Sequence, residues 1–101
     1  MLPRMLAISG SLSRSSSNTE LLRAAARLGN DRVSIEVYDA MAAIPLFNVD
    51  LDVEPAPAAV ADFRTRLSAC EGVIISSPEY AHGISGVLKN ALDWTVSSGD
   101  F

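Results

Sequence analysis

Three apolar segments alternate with three segments of helical periodicity, and this alternation constrains the fold more than any other feature of the chain. The predicted strands cover residues 4–9, 33–38 and 73–76, and the predicted helices cover residues 18–28, 58–69 and 85–97. A strand followed by a helix and a second strand forms a parallel pair joined by a crossover helix. The sequence therefore predicts an α/β fold in which helices cover a parallel sheet.

The predicted strands differ in their apolar pattern. In the second strand Val33, Ile35 and Val37 alternate with polar residues, which is typical of a strand with one solvated face near a sheet edge. The third strand, residues 73–76, follows a glycine as a short apolar run and is predicted to be fully buried.

The first and third helical segments carry apolar stripes that predict which face packs on the sheet. In the first, Leu21, Ala25 and Leu28 recur at helical spacing, and Leu22 with Ala26 widens the stripe. Ser17 and Glu20 have the spacing of a capping box at its start. The stripe expected to face inward in the third helix consists of Ile84, Val87, Leu88, Ala91 and Leu92.

Composition and charge argue against several classes of function. The chain has 101 residues, a formal net charge of −4 and eight scattered basic residues, which argues against a nucleic-acid-binding surface. No apolar run approaches the roughly 20 residues of a membrane span, and the short apolar start does not resemble a signal peptide. Because Cys70 is the only cysteine, no internal disulfide is possible, and a cytoplasmic location is expected.

The length suits one domain over residues 1–101, but three strand–helix units leave a doubly wound sheet half built. Residues 98–101 follow the third helix without a further strand. A small sheet with missing neighbours exposes edge hydrogen-bonding groups and apolar helix faces. We therefore expect an incomplete domain.

The loop after the first strand has the composition of an anion site. Residues 11–17 contain five serines and Arg14, directly before the first helix. Ligands of open parallel sheets lie beyond the carboxyl ends of the strands, and a helix N-terminus favours an anion there. The arginine adds a planar donor fork suited to phosphate oxygens. A single terminal phosphate fits this loop, although a serine-rich turn that only caps the helix has the same composition.

The loop after the third strand, residues 77–86, is suited to a flat ligand. Pro78 stiffens the exit from the strand, and Gly83 and Gly86 permit a close approach. Tyr80 and His82 offer aromatic faces or polar tips. Backbone N–H groups in such a loop can bond the ring edge of a flavin and tune its electronics. Taken alone, the loop is also compatible with an ordinary turn.

Together the two loops resemble the NADPH-dependent FMN reductase family, which includes chromate, quinone and azo-dye reductases. The resemblance is carried by residues 8–12 with Asn18 and Thr19, by residues 44–51, and by residues 78–80 and 86–94. It covers essentially the whole chain and implies a flavodoxin-like three-layer α/β sandwich with a parallel sheet. Family members have five strands, so only the first three strand–helix units are present here.

The resemblance also implies a set of FMN-binding residues. Those at the phosphate would be Ser11, Ser13, Arg14, Ser16, Asn18 and Thr19. Those along the isoalloxazine ring would be Pro78, Glu79, Tyr80, Ala81, His82 and Gly83. Many members have arginine at position 13 and asparagine at position 81, and here serine and alanine stand there. No catalytic side chain and no metal ligand is predicted.

The implied activity is hydride transfer from NADPH or NADH to FMN, followed by electron transfer to a quinone, flavin, azo compound or metal oxyanion. The implied partners are this small-molecule acceptor and further copies of the chain, in a homodimer or homotetramer. Two alternatives stay open from the residues alone. One is an FMN-binding electron carrier or sensor without reductase turnover, and the other is an incomplete, nonfunctional product.

A few remaining residues have a simpler interpretation than a catalytic one. His82 is interpreted as a ring contact or a solvent-exposed side chain, because hydride transfer needs no acid or base. Cys70 has helical spacing with the second helix and is predicted to be a buried core thiol. The acidic residues Asp50, Asp52 and Glu54 are predicted to lie in a solvated loop.

The third helix carries polar residues and the only tryptophan. Lys89, Asn90 and Asp93 are predicted on its outer side, with a weak ion pair between Lys89 and Asp93. Trp94 borders the apolar stripe, and core packing and a dimer contact are equally compatible with that position.

Overall fold

The structure is a computed structural model that describes residues 1–99, and it contains the three predicted strand–helix units. The helices are α1 (Ser17–Leu28), α2 (Ala58–Ala69) and α3 (Gly86–Asp93). The strands are β1 (Arg4–Ser9), β2 (Ser34–Val37), β3 (Gly72–Ser76), β4 (Glu79–Tyr80) and β5 (Gly83–Ile84). The segment between β2 and α2 contains two 3₁₀ turns, Met41–Ala43 and Val49–Leu51. Of the predicted tail at residues 98–101, the last two residues lie outside the described part.

The main sheet has the order β2-β1-β3, and both strand pairs are parallel. In the β1–β3 register Leu6 lies beside Val73 and Ile8 lies beside Ile75. The predicted α/β class is therefore confirmed. Strand β2 lies at an edge of the sheet, as its alternating pattern predicts.

Helices cover both faces of this sheet and make three layers. Ala7 points to one face, which α1 covers, and both Ala7 and Leu22 of α1 are buried. The neighbouring residues of β1 point to the opposite face and join the core formed with α2 and α3. That core comprises Leu6, Ile8, Tyr38, Met41, Ile44, Val60, Phe63, Leu67, Leu88, Ala91 and Trp94.

Helix α1 turns a different face to the sheet from the one its sequence predicts. Leu21 and Leu28 are 63% and 85% exposed, and the buried leucine is Leu22. Three alanines follow in the same helix, and their small side chains do not decide which face packs. A stripe prediction centred on Leu21 is therefore wrong by about one residue of rotation, or roughly 100°.

Strand β3 is predicted to be fully buried, and this prediction is wrong. Ile75 is 43% exposed, and the other four residues of β3 are only partly buried. The reason is its position, because β3 forms the second edge of the sheet within residues 1–99.

Both caps next to the loops differ from the sequence prediction. The N-cap of α1 is Ser16 rather than Ser17, and its side chain accepts a hydrogen bond from Thr19 N at 3.2 Å. Helix α3 begins at Gly86, because the Ser85 hydroxyl accepts from Leu88 N at 3.2 Å, and it ends at Asp93 rather than Ser97. Ile84 therefore belongs to β5 and is 47% exposed instead of facing inward.

The segment before α2 is fastened to α3 by buried polar contacts. Trp94 is fully buried and its indole N–H donates to Pro45 O at 2.8 Å, so core packing is the role it has here. Asn90 is half-buried rather than outward-facing: its amide donates to Pro45 O at 2.9 Å and accepts from Phe47 N at 2.7 Å. The predicted pair between Lys89 and Asp93 is confirmed, with an Nζ–Oδ1 distance of 2.6 Å.

Two of the simpler interpretations can be compared with the structure. Asp50 and Glu54 are exposed, as predicted for a solvated loop, but Asp52 is not: its side chain is partly buried and lies 3.1 Å from Arg64. Hydrogen bonds from Ser97 and Arg64 lower the pKa of the Asp52 carboxyl. Cys70 is half-buried rather than buried, because it caps the end of α2, where its thiol donates to Leu67 O at 3.1 Å. In the described part of the chain, no helix is long and apolar enough to cross a membrane.

Candidate functional site

The loops singled out by the sequence leave the sheet at neighbouring positions. One follows β1 and the other follows β3, and these strands are hydrogen-bonded neighbours. From β1 the chain crosses to β2 on one side of the sheet and then to β3 on the other side. The carboxyl ends of β1 and β3 therefore form a topological switch point, where open α/β sheets bind their ligands.

Hydrogen bonds join the two loops directly. Gly10 N donates to Ser76 O at 2.8 Å, and the Ser76 hydroxyl donates to the Asn18 side-chain oxygen at 2.7 Å. On the other side of Asn18, the Thr19 hydroxyl donates to the hydroxyl of Ser9 at 2.8 Å. The start of α1 is thus held against the ends of both β1 and β3.

The close approach of the loops requires a glycine at position 10. A Cβ atom there would lie 2.4 Å from the Ser77 hydroxyl and 2.7 Å from that of Ser85, and real Cβ atoms do not come so close. Both serine hydroxyls already accept hydrogen bonds that fix their positions: Ser77 accepts from Ser85 N, and Ser85 caps α3.

We predict that Gly10→Ala lowers the free energy of unfolding by about 1–3 kcal/mol, the usual cost of overpacking. The matched control is Gly86→Ala, because a Cβ at Gly86 meets nothing within 4 Å. Urea denaturation of the two variants measures the difference. Equal stability of both variants would show that the loops do not pack as closely as described.

The first loop presents donors that the protein does not use internally. Within residues 1–99 the backbone N–H groups of Ser17 and Asn18 have no protein acceptor, and Arg14 is exposed and forms no ion pair. The remaining turn is ordered by its serines: Ser11 N donates to the Ser9 hydroxyl, and Ser13 N donates to the Ser11 hydroxyl. Free N–H groups at a helix start beside a guanidinium form a suitable site for a phosphate.

The second loop is a β-hairpin, which the sequence did not predict. Strands β4 and β5 pair antiparallel, and Ala81 and His82 between them have φ angles of 50° and 63°. Two residues with positive φ define the type I′ turn, which prefers Asn-Gly, so Ala-His lacks its usual sequence signal. The turn exposes Ala81 and His82, and Tyr80 beside it is 60% exposed. The loop therefore places the exposed side chain of Tyr80 and a strained turn at Ala81 and His82 beside the switch point.

We predict that Ala81→Asn raises the free energy of unfolding by about 0.5–1 kcal/mol, because asparagine adopts the left-handed region more readily than alanine. Ala43→Asn, at another exposed alanine without positive φ, should bring no such gain. Thermal unfolding followed by circular dichroism compares the variants. A loss of stability in Ala81→Asn would contradict the strained turn.

The predicted residues do not all line one cavity. A crevice of about 470 Å³ lies beside the first loop, toward β2, and the residues it shares with the prediction are Ser11, Ser13, Arg14 and Thr19. Ser16 and Asn18 point elsewhere, into the cap of α1 and toward Ser76. None of the ring-side residues 78–83 lines this crevice.

The sequence prediction misses the far wall of the crevice, which includes Arg23, Val37, Asp39 and Met41. Arg23 lies four residues after Thr19, so helical spacing alone places both on one face of α1. Asp39 follows the end of β2, where an acidic residue is a known signal in doubly wound folds. These two were detectable in the sequence, whereas the apolar residues carry no such signal.

Tyr38 at the base of the crevice is a structural hydroxyl rather than an acid or base. It is buried, and its hydroxyl donates to Asp62 Oδ2 at 2.9 Å. Burial, together with the negative charge of Asp62, raises the pKa of Tyr38 well above its ordinary value. The hydroxyl stays protonated at neutral pH and fixes the end of β2 to α2.

The three-layer arrangement, the β2-β1-β3 order and two ligand-type loops at the switch point define a flavodoxin-like domain. The family model of NADPH-dependent FMN reductase matches residues 3–100. The chain belongs to this family.

Individual relatives agree with this assignment. The chain is 41% identical over 91 residues to an NAD(P)H-dependent FMN reductase of Pseudomonas aeruginosa, covering 90% of this chain and 49% of the relative. It is 42% identical over 95 residues to an NADPH:quinone oxidoreductase of Arabidopsis thaliana, covering 90% and 48%. Among solved structures it is similar to FerB, a flavoenzyme NAD(P)H:(acceptor) oxidoreductase from Paracoccus denitrificans. The TM-score is 0.86 at 27% identity, covering 98% of this chain and 54% of FerB. The chain thus spans about half the length of these relatives.

Proposed function

We propose that this chain binds FMN at the switch point and forms the N-terminal part of an NAD(P)H-dependent flavin oxidoreductase domain, with residues 1–101 belonging to that part. The observation that carries the proposal is the direct junction of the two loops through Gly10, Ser76 and Asn18. Two loops fastened in this way can hold the two ends of one ligand. The names of the relatives supply the cofactor and the reaction class.

The residues of the first loop fit a phosphate. Within residues 1–99 the N–H groups of Ser17 and Asn18 have no protein acceptor and Arg14 forms no ion pair, so these groups provide donors and positive charge without displacing an internal contact there. Small hydroxylated side chains leave room for the anion. The proposed phosphate-binding residues are Ser11, Ser13, Arg14, Ser16, Asn18 and Thr19.

The residues of the hairpin fit a flat ring. Tyr80 is exposed beside the turn, and the left-handed residues Ala81 and His82 turn the backbone sharply at its tip. The Tyr80 side chain would stack on the isoalloxazine ring or border it, while backbone N–H groups of the hairpin would bond the polar edge of that ring. The proposed ring-side residues are Pro78, Glu79, Tyr80, Ala81, His82 and Gly83.

The protein's own residues position the reactants and take no chemical step themselves. Bound FMN would supply the redox chemistry, accepting a hydride from NADPH or NADH and passing two electrons to a small-molecule acceptor of the quinone class. The named relatives favour quinones, while a free flavin, an azo compound and a metal oxyanion are further candidates for the acceptor. An electron carrier or sensor without turnover is less favoured, because the relatives are named as reductases.

The test of the proposed function is FMN uptake followed by reduction. The purified protein is mixed with FMN, and bound flavin is measured after gel filtration by its absorbance. NADPH is then added without oxygen, and bleaching of the flavin absorbance is expected. Protein that stays colourless at micromolar FMN would contradict the cofactor assignment. Bound flavin that NADPH and NADH leave oxidised would instead favour a carrier or sensor.

We also propose a homodimer or homotetramer that assembles in the cytoplasm. The support is an apolar strap, which we define as the exposed residues Leu46, Phe47, Val49, Leu51 and Val53. The start of the strap is fixed in place, because Phe47 N donates to the Asn90 side chain and the indole of Trp94 donates to Pro45 O just before the strap. The ring of Phe47 also packs edge-on against that of Trp94, with 4.9 Å between the ring centroids. A fixed apolar patch of this kind is typical of an interface between subunits.

For the oligomer we predict that Leu46→Asp shifts the protein toward smaller species in size-exclusion chromatography with light scattering. Val96→Asp is the matched control, since both side chains are 82% exposed and only Leu46 belongs to the strap. The control is expected to keep the wild-type mass. A wild-type protein that is monomeric at high concentration would contradict the proposed assembly.

A further inference from the structure

The crevice beside the first loop shares Ser11, Ser13, Arg14 and Thr19 with the phosphate end of the proposed flavin site and extends from there toward β2. Its far wall lies at the end of β2, whereas the hairpin lies on the other side of β1, next to β3. Its volume of about 470 Å³ lies within the range of roughly 300–1,000 Å³ that is usual for small-molecule pockets. The wall formed by Arg23, Val37, Asp39 and Met41 is not assigned to the flavin, so this side of the crevice is left for another part of a ligand or for a second ligand.

Besides hydroxylated side chains such as Ser11, Ser13 and Thr19, three further kinds of side chain line this crevice. Arg14 and Arg23 provide positive charge, Asp39 provides a carboxylate, and Val37 and Met41 provide apolar surface. Guanidinium groups bind phosphate oxygens, a carboxylate accepts hydrogen bonds from hydroxyl groups, and apolar side chains cover a flat ring. A ribonucleoside phosphate carries all three complementary groups.

Arg23 is available to such a ligand at little cost. Its guanidinium contacts Glu20 Oε1 at 2.8 Å, with the two side chains 53% and 58% exposed. Exposed ion pairs of this kind contribute only about 0–1 kcal/mol, because water and salt screen them. A phosphate can therefore replace the carboxylate of Glu20 as the partner of Arg23.

Asp39 stands where doubly wound folds recognise a ribose. It follows the end of β2 by two residues and is exposed toward the crevice. In dinucleotide-binding folds an acidic residue in the region after the second strand accepts a hydrogen bond from a ribose hydroxyl. The glycine-rich loop of those folds is missing here, so this likeness concerns the position of the acid and not the whole motif.

We propose that the crevice between β1 and β2 binds an adenosine nucleotide through its phosphate and ribose, and that this nucleotide is the adenosine half of the NAD(P)H co-substrate. Arg23 binds the phosphate, Asp39 binds a ribose hydroxyl, and Arg14 adds positive charge between this phosphate and that of FMN. The identification with the co-substrate rests on the proposed function, while the nucleotide site itself does not.

The probes are adenosine 5′-monophosphate and adenosine 2′,5′-bisphosphate, with inorganic phosphate for comparison, titrated calorimetrically into the protein with and without FMN. Arg23→Gln is expected to weaken binding of the monophosphate about tenfold, the value of one charge-assisted hydrogen bond. Asp39→Asn is expected to weaken binding of both nucleotides and to leave the affinity for inorganic phosphate unchanged. Glu20→Gln is expected to strengthen nucleotide binding, since it removes the competing carboxylate.

The controls are Arg27→Gln, one helical turn beyond Arg23, and Asp31→Asn, because neither residue lines the crevice. All these positions are exposed, and circular dichroism checks that each variant is folded. FMN affinity, measured separately by fluorescence quenching, should change less than about twofold in the Arg23 and Asp39 variants, since neither residue belongs to the flavin loops.

The outcomes separate this inference from the proposed function. Wild-type nucleotide affinity in both Arg23→Gln and Asp39→Asn would overturn the nucleotide site, as would displacement of FMN by the monophosphate in equal stoichiometry. FMN uptake without any nucleotide binding would overturn the inference and leave the flavin proposal standing. Nucleotide binding that depends on Arg23 and Asp39 without FMN uptake would support the nucleotide site and contradict the proposed binding of FMN.

Discussion

Replacing Trp94 by alanine is expected to lower the free energy of unfolding by about 3–5 kcal/mol, the usual cost of truncating a buried aromatic side chain. The indole is fully buried between α2, α3 and the segment before α2. Its removal leaves a cavity and abolishes the hydrogen bond to Pro45 O and the edge contact with Phe47. Small domains are stable by only about 5–15 kcal/mol in total, so the variant is expected to be partly unfolded at 37 °C.

Thermal unfolding measures this effect, with Val96→Ala as the control two residues further along the chain. Val96 is 82% exposed, and its truncation should change the melting temperature little. Trp94→Phe is a second variant that keeps most of the ring volume but lacks the indole N–H. It should lower the melting temperature clearly less than Trp94→Ala does. Equal melting temperatures for the alanine variants at 94 and 96 would contradict the packing described for α3.

The regular elements were predictable because their signals are local. The range of α2 was predicted to the residue, and β1 likewise, since their apolar pattern and flanking residues fix both ends. Even the edge position of β2 follows from its alternating pattern. Where several neighbouring residues could serve equally well as the cap of a helix, the predicted helix start is wrong by one residue. Three consecutive serines can each cap α1, and only the contact with Thr19 N selects Ser16.

The features that escaped prediction depend on residues far apart in the sequence. The exposure of Ile75 follows from the edge position of β3 within residues 1–99, and the apolar sequence of the segment does not reveal that position. The hairpin at residues 81–82 was missed because Ala-His is not a usual turn sequence, and its left-handed backbone is imposed by the flanking strands.

The same distinction applies to the candidate site. The serines and Arg14 were predictable as a loop suited to an anion, because composition and the following helix are local facts. The crevice was not, since it forms only when α1 lies beside the end of β2 and brings Arg23 toward Asp39. The burial of Trp94 and the contacts of Asn90 likewise required the fold, since the segment they bind lies more than 40 residues earlier.

Replacing Arg14 by glutamine is expected to weaken FMN binding about 10- to 100-fold. The expected loss is about 1.5–3 kcal/mol, the range for hydrogen bonds to a charged group. Arg14 forms no ion pair in the described part of the chain and is exposed, so the substitution removes a ligand contact without breaking an internal one. A change in FMN affinity can therefore be attributed to the phosphate and not to unfolding.

Fluorescence quenching of FMN measures the affinity of Arg14→Gln, Arg14→Lys and the control Arg27→Gln at two salt concentrations. Lysine keeps the charge but loses the planar fork, so its affinity should fall between those of wild type and glutamine. The difference between wild type and Arg14→Gln should shrink at high salt, because screening weakens the exposed charge of Arg14 but leaves its neutral replacement unaffected. The control should bind FMN like wild type, since Arg27 lies in the last turn of α1, at the opposite end of the helix from the first loop. If Arg14→Gln also binds like wild type, the phosphate is held elsewhere, and the serine loop serves only as the cap of α1.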